Sequence, residues 1–381
     1  MSAGAAGFAL VSGDFVKTGG MDRANYALAS YLARHGRPVH LVAHRADADL
    51  FGQGEVTLHR VPKPLNSYLL GEPLLALWGR RWAARVAAAG GRVVVNGGNC
   101  GWGDVNWVHY VHAAWPPRGT GGLSRRLKRQ YAHRTAIVAE RRSLRRARVV
   151  VANSERTRGV LLDRMGLPPE RVHTVYYGTD PARFRPATAD ERLAARARMG
   201  WHDERPAVAF VGALGDLRKG LDTVLNAWQT LSRGDGWDAR LVVAGAGPGL
   251  DRLRAGAADR GDSVEFLGFR RDVPDVLRAC DALVSPTRYE AYGLNVHEAL
   301  CCALPALVSR SAGVAERYPA ELEGLLLPDP EDPTDLARRL LAWRDGRSRM
   351  APAVAALSDR LRAWTWDDMA AEFLRIIEAS G

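Results

Sequence analysis

Short β-branched runs, several of them ending in Gly, Asn or Ser, recur along the whole chain and alternate with longer amphipathic segments. Runs that are apolar on both faces need cover on both sides, which parallel sheets with crossover helices provide. In the first half these runs are Phe8–Gly13, Pro38–Ala43, Val56–Val61, Arg92–Asn96, Asn106–His112, Arg148–Asn153 and His173–Gly178. In the second they are Ala207–Gly212, Arg240–Gly245, Val264–Gly268, Ala282–Pro286 and Pro305–Ser309. The 381 residues exceed one core and suit two domains of roughly 150–200 residues each. The expected fold class is α/β, two doubly wound domains facing each other across a cleft that holds the substrates. The turn-rich stretch Tyr177–Pro186 reads as the linker, giving a first domain over 1–182 and a second over 183–365. The amphipathic stretch Trp364–Ser380 reads as a final helix, with 366–381 expected to pack back on the first domain.

No apolar run approaches the roughly 18–20 residues that a membrane span needs. The start, MSAGAAGFALVSG, lacks the basic opening of a signal peptide and reads as the first strand. Cys100, Cys280, Cys301 and Cys302 form no metal-like or paired spacing, so reduced thiols in a cytoplasm are expected. The net charge of +11 is concentrated in SRRLKRQYAHRTAIVAERRSLRRAR, residues 124–148. Leu127, Tyr131, Ile137, Val138 and Leu144 recur there at helical steps between arginines. That helix is either a solvated face or a surface for anionic lipid head groups or an acidic acceptor, peripheral to the inner face of a membrane. No aromatic-interleaved stacking surface accompanies the charge, so no nucleic-acid partner is expected.

The most informative stretch is SPTRYEAYGLNVHEALCCALP, Ser285–Pro305. A strand ends, a loop carries Glu290, and a helix starting near Tyr292–Gly293 carries Glu298 on its second turn. The first amides of that helix, at Tyr292, Gly293 and Leu294, lack intrahelical partners and suit an anionic diphosphate. Glu298 lies between apolar Val296 and Ala299-Leu300, a poor place for a merely solvated carboxylate, and suits a diol such as ribose. Gly19-Gly20 follow the first strand and precede a helix. They form either a plain turn or a loop that lets backbone approach a ligand closely. Arg218 and Lys219 follow the loop after Ala207–Gly212, where fixed cations would stabilise a departing diphosphate. His109 and His112 are three apart on or just after a strand, so they point to opposite faces while the strand lasts. Trp102, Trp107 and Trp115 either stack on sugar rings or pack, in or beside the loops 96–104 and 113–122 that would receive an acceptor.

Ser285–Pro305 closely resembles the two-glutamate motif of the retaining family 4 glycosyltransferases, which have the GT-B fold of two Rossmann-like domains. Thr18–Gly36, Val151–Leu162, Val175–Pro186 and Leu217–Trp228 resemble further signatures of that family, so the likeness spans almost the whole chain. The resemblance implies a nucleotide-diphosphate sugar donor, UDP- or GDP-linked, and a front-face transfer to an acceptor hydroxyl with retention. It assigns Glu290 to a donor-sugar hydroxyl, the Tyr292–Leu294 backbone to sugar and phosphates, Glu298 to the ribose and Lys219 to the diphosphate. It favours His112 over His109 as the residue near the transferred sugar, and places Gly19-Gly20 beside the donor phosphates and acceptor.

The chain departs from the family at Ala213, where an arginine usually follows the glycine; either Arg218 or the Gly19-Gly20 loop compensates. A second departure is Ala303, where the family often has glycine. No residue is an evident nucleophile for double displacement. Asp47-Ala48-Asp49 is the only D-x-D text and reads as a solvated turn, so no metal and no cofactor are expected. The rival readings are a nucleotide-sugar epimerase or phosphorylase on the same fold, and a silent sugar- or lipid-binding scaffold. A dehydrogenase is disfavoured because no G-x-G-x-x-G follows the first strand.

Overall fold

The computed structural model describes residues 7–380 apart from 117, 119–121, 235, 249, 251, 252 and 255–262. The chain divides into two compact units, residues 1–178 with 365–381, and residues 179–364.

The first unit contains β1 (Phe8–Val11), β2 (Asp14–Phe15), β3 (Val39–Ala43), β4 (Arg45–Ala46), β5 (Val56–Arg60), β6 (Arg92–Asn96), β7 (Val105–Val108), β8 (Val149–Ala152) and β9 (Val172–Thr174). Its helices are α1 (Gly20–Arg34), α2 (Tyr68–Ala88), α3 (Leu123–Arg146) and α4 (Glu155–Met165). Seven strands form one parallel sheet in the order β5-β3-β1-β6-β7-β8-β9. The order reverses once, between β1 and β6. Right-handed crossovers therefore put α1 on one face and α2, α3 and α4 on the other. Past the edge of that sheet, β2 and β4 continue β1 and β3 as a short parallel ribbon that sets Asp14 against Arg45.

The second unit contains α5 (Ala189–Arg198), β10 (Ala207–Val211), α6 (Leu221–Ser232), β11 (Arg240–Ala244), β12 (Val264–Gly268), α7 (Val273–Ala279), β13 (Ala282–Ser285), α8 (Leu294–Cys301), β14 (Ala306–Ser309), β15 (Leu326–Leu327) and α9 (Pro333–Arg362). Its parallel sheet runs β12-β11-β10-β13-β14-β15, reversing between β10 and β13. Helices bury its central strands on both faces, which is why Val208–Phe210, Leu241–Ala244 and Ala282–Val284 are uniformly apolar and buried.

The last helix, α10 (Trp366–Ala379), belongs to the first unit and packs on α1. Arg34 pairs with Asp367 at 2.6 Å and Arg37 with Glu378 at 3.0 Å, while Phe373 meets the buried Trp107 ring at 4.6 Å. Trp107 therefore packs; it does not stack on a ligand. The four cysteines are buried and unbridged.

Two strand expectations change. The run Asn106–His112 pairs only as far as Val108, so His109 and His112 lie beyond the strand and its two-face rule does not reach them. His173–Gly178 pairs only as far as Thr174, while the unexpected β15 is two residues long.

The start of α10 is fixed by a capping box: the Thr365 hydroxyl accepts from the Asp368 amide, and the Asp368 carboxylate accepts from the Thr365 amide at 2.8 Å. Thr365→Ala is expected to destabilise α10 by about 1 kcal/mol. Faster amide exchange along Trp366–Ala379, largely restored by Thr365→Ser, would confirm it.

Candidate active site

In an open parallel sheet, loops leaving the carboxyl edge separate where the strand order reverses, and ligands bind in the gap. In the second unit that gap lies between β10 and β13. Lys219 follows β10 and Glu290 follows β13, and the two meet there: Lys219 Nζ donates to Glu290 Oε2 at 2.5 Å, with each side chain about one-fifth exposed.

The Lys219 turn is locked in place by the loop after β13. Gly220 has φ +71°, and a side chain there would strike the Pro286 carbonyl. The Arg218 carbonyl accepts from the Arg288 amide at 2.7 Å and from the Thr287 hydroxyl at 2.9 Å. Arg288, whose side chain is 10% exposed, ties the turn to α6 by bonding both Asp222 oxygens, at 2.8 and 2.7 Å. The Arg218 side chain turns inward on its own loop: Nε and Nη2 hold Asp216 Oδ2 at 3.0 and 2.5 Å. Arg218 is thus engaged by a carboxylate, whereas Ala213 is exposed.

The start of α8 completes this site. Gly293 has φ +110°, and an added Cβ would lie 3.0 Å from Val314 Cγ1 and 3.4 Å from Glu290 Cγ, so only glycine fits. The amides of Gly293 and Leu294 donate to nothing among the described residues. Asn295 fastens the helix start to β10 by donating to the Val211 carbonyl at 2.9 Å. Tyr292 is fully buried, with its hydroxyl 2.8 Å from His297 Nδ1. Glu298 is half-buried on the second turn.

In the first unit, His109 is buried in the core beside the Tyr177 hydroxyl, and burial pushes its pKa down to about 3, so the ring is neutral. His112 opens a short turn, Val111–Trp115. Its Nδ1 lies 3.2 Å from Glu140 Oε1, and its amide donates to Glu140 Oε2 at 3.0 Å. Glu140 is fully buried on α3 and orients the imidazole. Sequence reasoning missed it, because it sits inside the basic stretch ERRSLRR. The sole signal was an acid in a run of arginines.

Gly19, with φ +82°, is the N-cap of α1 and stands exposed with Gly20 beside it. Their loop is pinned from behind. Asp47 accepts from the Lys17 amide at 2.9 Å, and Asp49 pairs with Lys17 Nζ at 2.5 Å and with the Tyr26 hydroxyl at 2.6 Å. Asp47 and Asp49 thus anchor the glycine loop and are more than a solvated turn. Among the described residues no cluster of His, Cys, Asp or Glu suits a metal ion. Parts of the 113–122 loop lie outside the described residues.

Two family models cover most of the sequence: Glycosyltransferase Family 4 over residues 18–183, and Glycosyl transferases group 1 over residues 205–344. The chain belongs to the family 4 glycosyltransferases. It is 31% identical over 255 residues to the D-inositol 3-phosphate glycosyltransferase of Salinispora tropica, covering 63% of this chain and 52% of that one. The chain spans about half the length of the curated relatives it matches. Its two α/β units have the GT-B fold. They superpose with TM-score 0.75 on WaaG, a glycosyltransferase involved in lipopolysaccharide biosynthesis, at 20% identity over 96% of this chain and 99% of that one. They superpose with TM-score 0.70 on Anabaena HepE in complex with UDP-glucose, at 16% identity over 98% and 99%.

Asp22, in the first turn of α1, carries a testable electrostatic signature. Burial, and then the nearby Asp14 carboxylate, raise its pKa from 3.8 to about 6. Its folded value lies above its unfolded value, so this group favours folding least at high pH. Its destabilising effect grows as pH rises from 3.8 through about 6. Asp22→Asn is therefore expected to raise stability by about 1–3 kcal/mol at pH 8, with the gain vanishing in acid. A flat difference in denaturation midpoint across pH would contradict it.

Proposed function

We propose that this family member transfers a hexose-type sugar from a nucleoside diphosphate to an acceptor hydroxyl, without a metal and with retention at the anomeric carbon. The observation that carries the reading is the Lys219–Glu290 pair at the strand-order reversal, beside the unpartnered amides of Gly293 and Leu294. The diphosphate would lie against Lys219 and those amides, and Glu290 would accept from a hydroxyl of the donor sugar. Glu298 would hold the ribose, and the first unit would contribute His112 and the Gly19-Gly20 loop.

As the C–O bond to the leaving phosphate breaks, negative charge builds on the diphosphate. A fixed cation and helix amides stabilise that charge more in the transition state than in the ground state. The acceptor oxygen then attacks from the leaving-group side and passes its proton to a departing phosphate oxygen. The new glycosidic bond keeps the donor's configuration. Lys219 and the amides supply the charge stabilisation that a divalent ion would otherwise provide.

We also propose that α3 meets an anionic membrane. Leu127, Tyr131 and Val138 are 55%, 72% and 66% exposed, at helical steps among arginines, an arrangement suited to lipid head groups. Leu144, of the same pattern, is buried and anchors the helix.

Slow hydrolysis of a UDP- or GDP-sugar, undiminished by EDTA, tests the main reading; loss with EDTA and recovery with Mn²⁺ would overturn its metal-free part. Lys219→Ala is expected to lower kcat by roughly 100-fold. Arg218→Ala should have a far smaller effect, since Asp216 already holds that guanidinium. Glu298→Ala is expected to weaken binding of free UDP or GDP by about 10- to 100-fold, as loss of a charged hydrogen bond does. Calorimetry showing wild-type nucleotide affinity in that variant would remove Glu298 from the ribose.

A further inference from the structure

Glu140 is a carboxylate taken out of water without a fixed cation to meet it. Its side chain is 1% exposed, although it stands on α3 next to exposed Arg141 and Arg142. It pairs with no arginine among the described residues. Its hydrogen bonds go to one residue instead: His112 donates to Oε2 from its amide at 3.0 Å, and Nδ1 of the ring lies 3.2 Å from Oε1. Gly97 and Gly98 close over this contact. A Cβ on Gly98 would lie 2.9 Å from the Glu140 amide nitrogen, and one on Gly97 3.9 Å from Oε1. Burying a carboxylate without an arginine is costly, and a fold that keeps one against a histidine marks that histidine as functional.

The ring that Glu140 holds is open on its other side. The His112 side chain is 39% exposed; Tyr110 packs edge-on against it at 4.9 Å between ring centres, and His133 lies at 6.5 Å. A carboxylate can only accept, so in the neutral ring the proton sits on Nδ1. Nε2, across the ring, then carries a lone pair and no proton. It accepts from a hydroxyl and repels a carboxylate. The opposite tautomer would donate from Nε2 and would suit an anion.

We propose that Glu140 is a positioning residue that fixes His112 as a hydrogen-bond acceptor, and thereby selects a neutral hexose over a hexuronic acid as the sugar transferred. The selection rests on the reading that brings the transferred sugar to His112. A hydroxyl of the hexose donates to Nε2. The carboxylate of a uronate at the same place has no proton to offer and meets the lone pair.

The proton is located in the wild-type chain carrying isotope-labelled histidine, by the nitrogen–proton correlations that distinguish the two tautomers at neutral pH. The His112 signal is the one missing from His112→Ala. It should show Nδ1 protonated and Nε2 bare. Protonation of Nε2, alone or together with Nδ1, would overturn the proposal whatever the chain transfers.

Glu140→Gln keeps the shape of the side chain, but its amide can donate to Nδ1 and so permits the wrong tautomer. Hydrolysis of UDP-glucose, UDP-galactose and GDP-mannose is compared with that of UDP-glucuronate, UDP-galacturonate and GDP-mannuronate. Wild type should favour the neutral sugar of the pair it turns over by about tenfold or more in kcat/KM, because the uronate leaves a buried polar contact unmade. In Glu140→Gln that preference should shrink by about tenfold. Affinity for free UDP or GDP should stay at the wild-type value, since Glu140 belongs to the first unit and Lys219 to the second. Glu140→Asp, which can still only accept, should keep the preference. A merely structural Glu140 would lower the melting temperature and leave the preference intact in Glu140→Gln, and that result would overturn the proposal, as would a preference lost equally in Glu140→Asp. A wild type that turns over no nucleotide sugar fails the transferase reading and the selection with it, while the spectrum still decides whether Glu140 sets the tautomer.

Discussion

The reversal of strand order between β10 and β13 is the constraint on which the candidate site depends. Both strands run the same way and pair side by side, Val208 with Ala282 and Ala209 with Leu283. Their loops therefore emerge next to one another and then separate toward opposite edges of the sheet. Lys219 and Glu290 are 71 positions apart in sequence, yet the sheet delivers them to one place. The surrounding contacts make that delivery repeatable. Gly220 lets the lysine turn close on Pro286, Arg288 fastens it to α6, and Asn295 ties the start of α8 to the end of β10.

A half-buried Lys–Glu pair is a weak source of stability, because removing both charges from water offsets much of their attraction. Its value is in placement. Each charge holds the other in position without saturating it: a lysine ammonium has three donors and a carboxylate several acceptor positions. An incoming diphosphate and a sugar hydroxyl fit those leftover directions. The Asp216–Arg218 contact is different, since both its partners lie in one turn and the guanidinium reaches both carboxylate oxygens, Nε at 3.1 Å from Oδ1 and 3.0 Å from Oδ2 and Nη2 at 2.5 Å from Oδ2. That arginine braces the loop that presents Lys219.

How much of this was legible in the sequence depended on how local each feature is. Twelve apolar runs read as strands do pair in the two sheets, because burial on both faces leaves an unmistakable pattern within five residues. The two residues of β15 are too few to show any period. Whether His109 and His112 lay on the strand or just after it was not legible, since nothing in NWVHYVH marks where pairing stops after Val108. The glutamate motif was legible because its spacing, its glycine and the helix start all fall within nine residues. Glu140 was not, because its partner His112 is 28 positions away. Asp47 and Asp49 were legible as text but not as anchors, since Lys17 and Tyr26 reach them from another turn.

The first unit repeats the same geometry with different chemistry. A cavity lies at its carboxyl edge, where β1, β3 and β5 release their loops side by side. The register of the β2–β4 ribbon sets Asp14 directly against Arg45. That pairing consumes one cation and leaves Arg60 and Lys63 without an ion pair among the described residues. Parallel sheets thus gather charged side chains in each unit for the same reason: many loop ends meet at one edge, with few constraints on their side chains. In the second unit Lys219 adjoins Glu290. In the first, Arg45 pairs with Asp14, and Arg45 and Lys63 also act on the Asp22 carboxylate. Much of the excess positive charge in the sequence lies on α3, and a smaller group lies around this cavity. The strands that end at this edge hold those cations in register, and Arg45 and Arg60 stay exposed there.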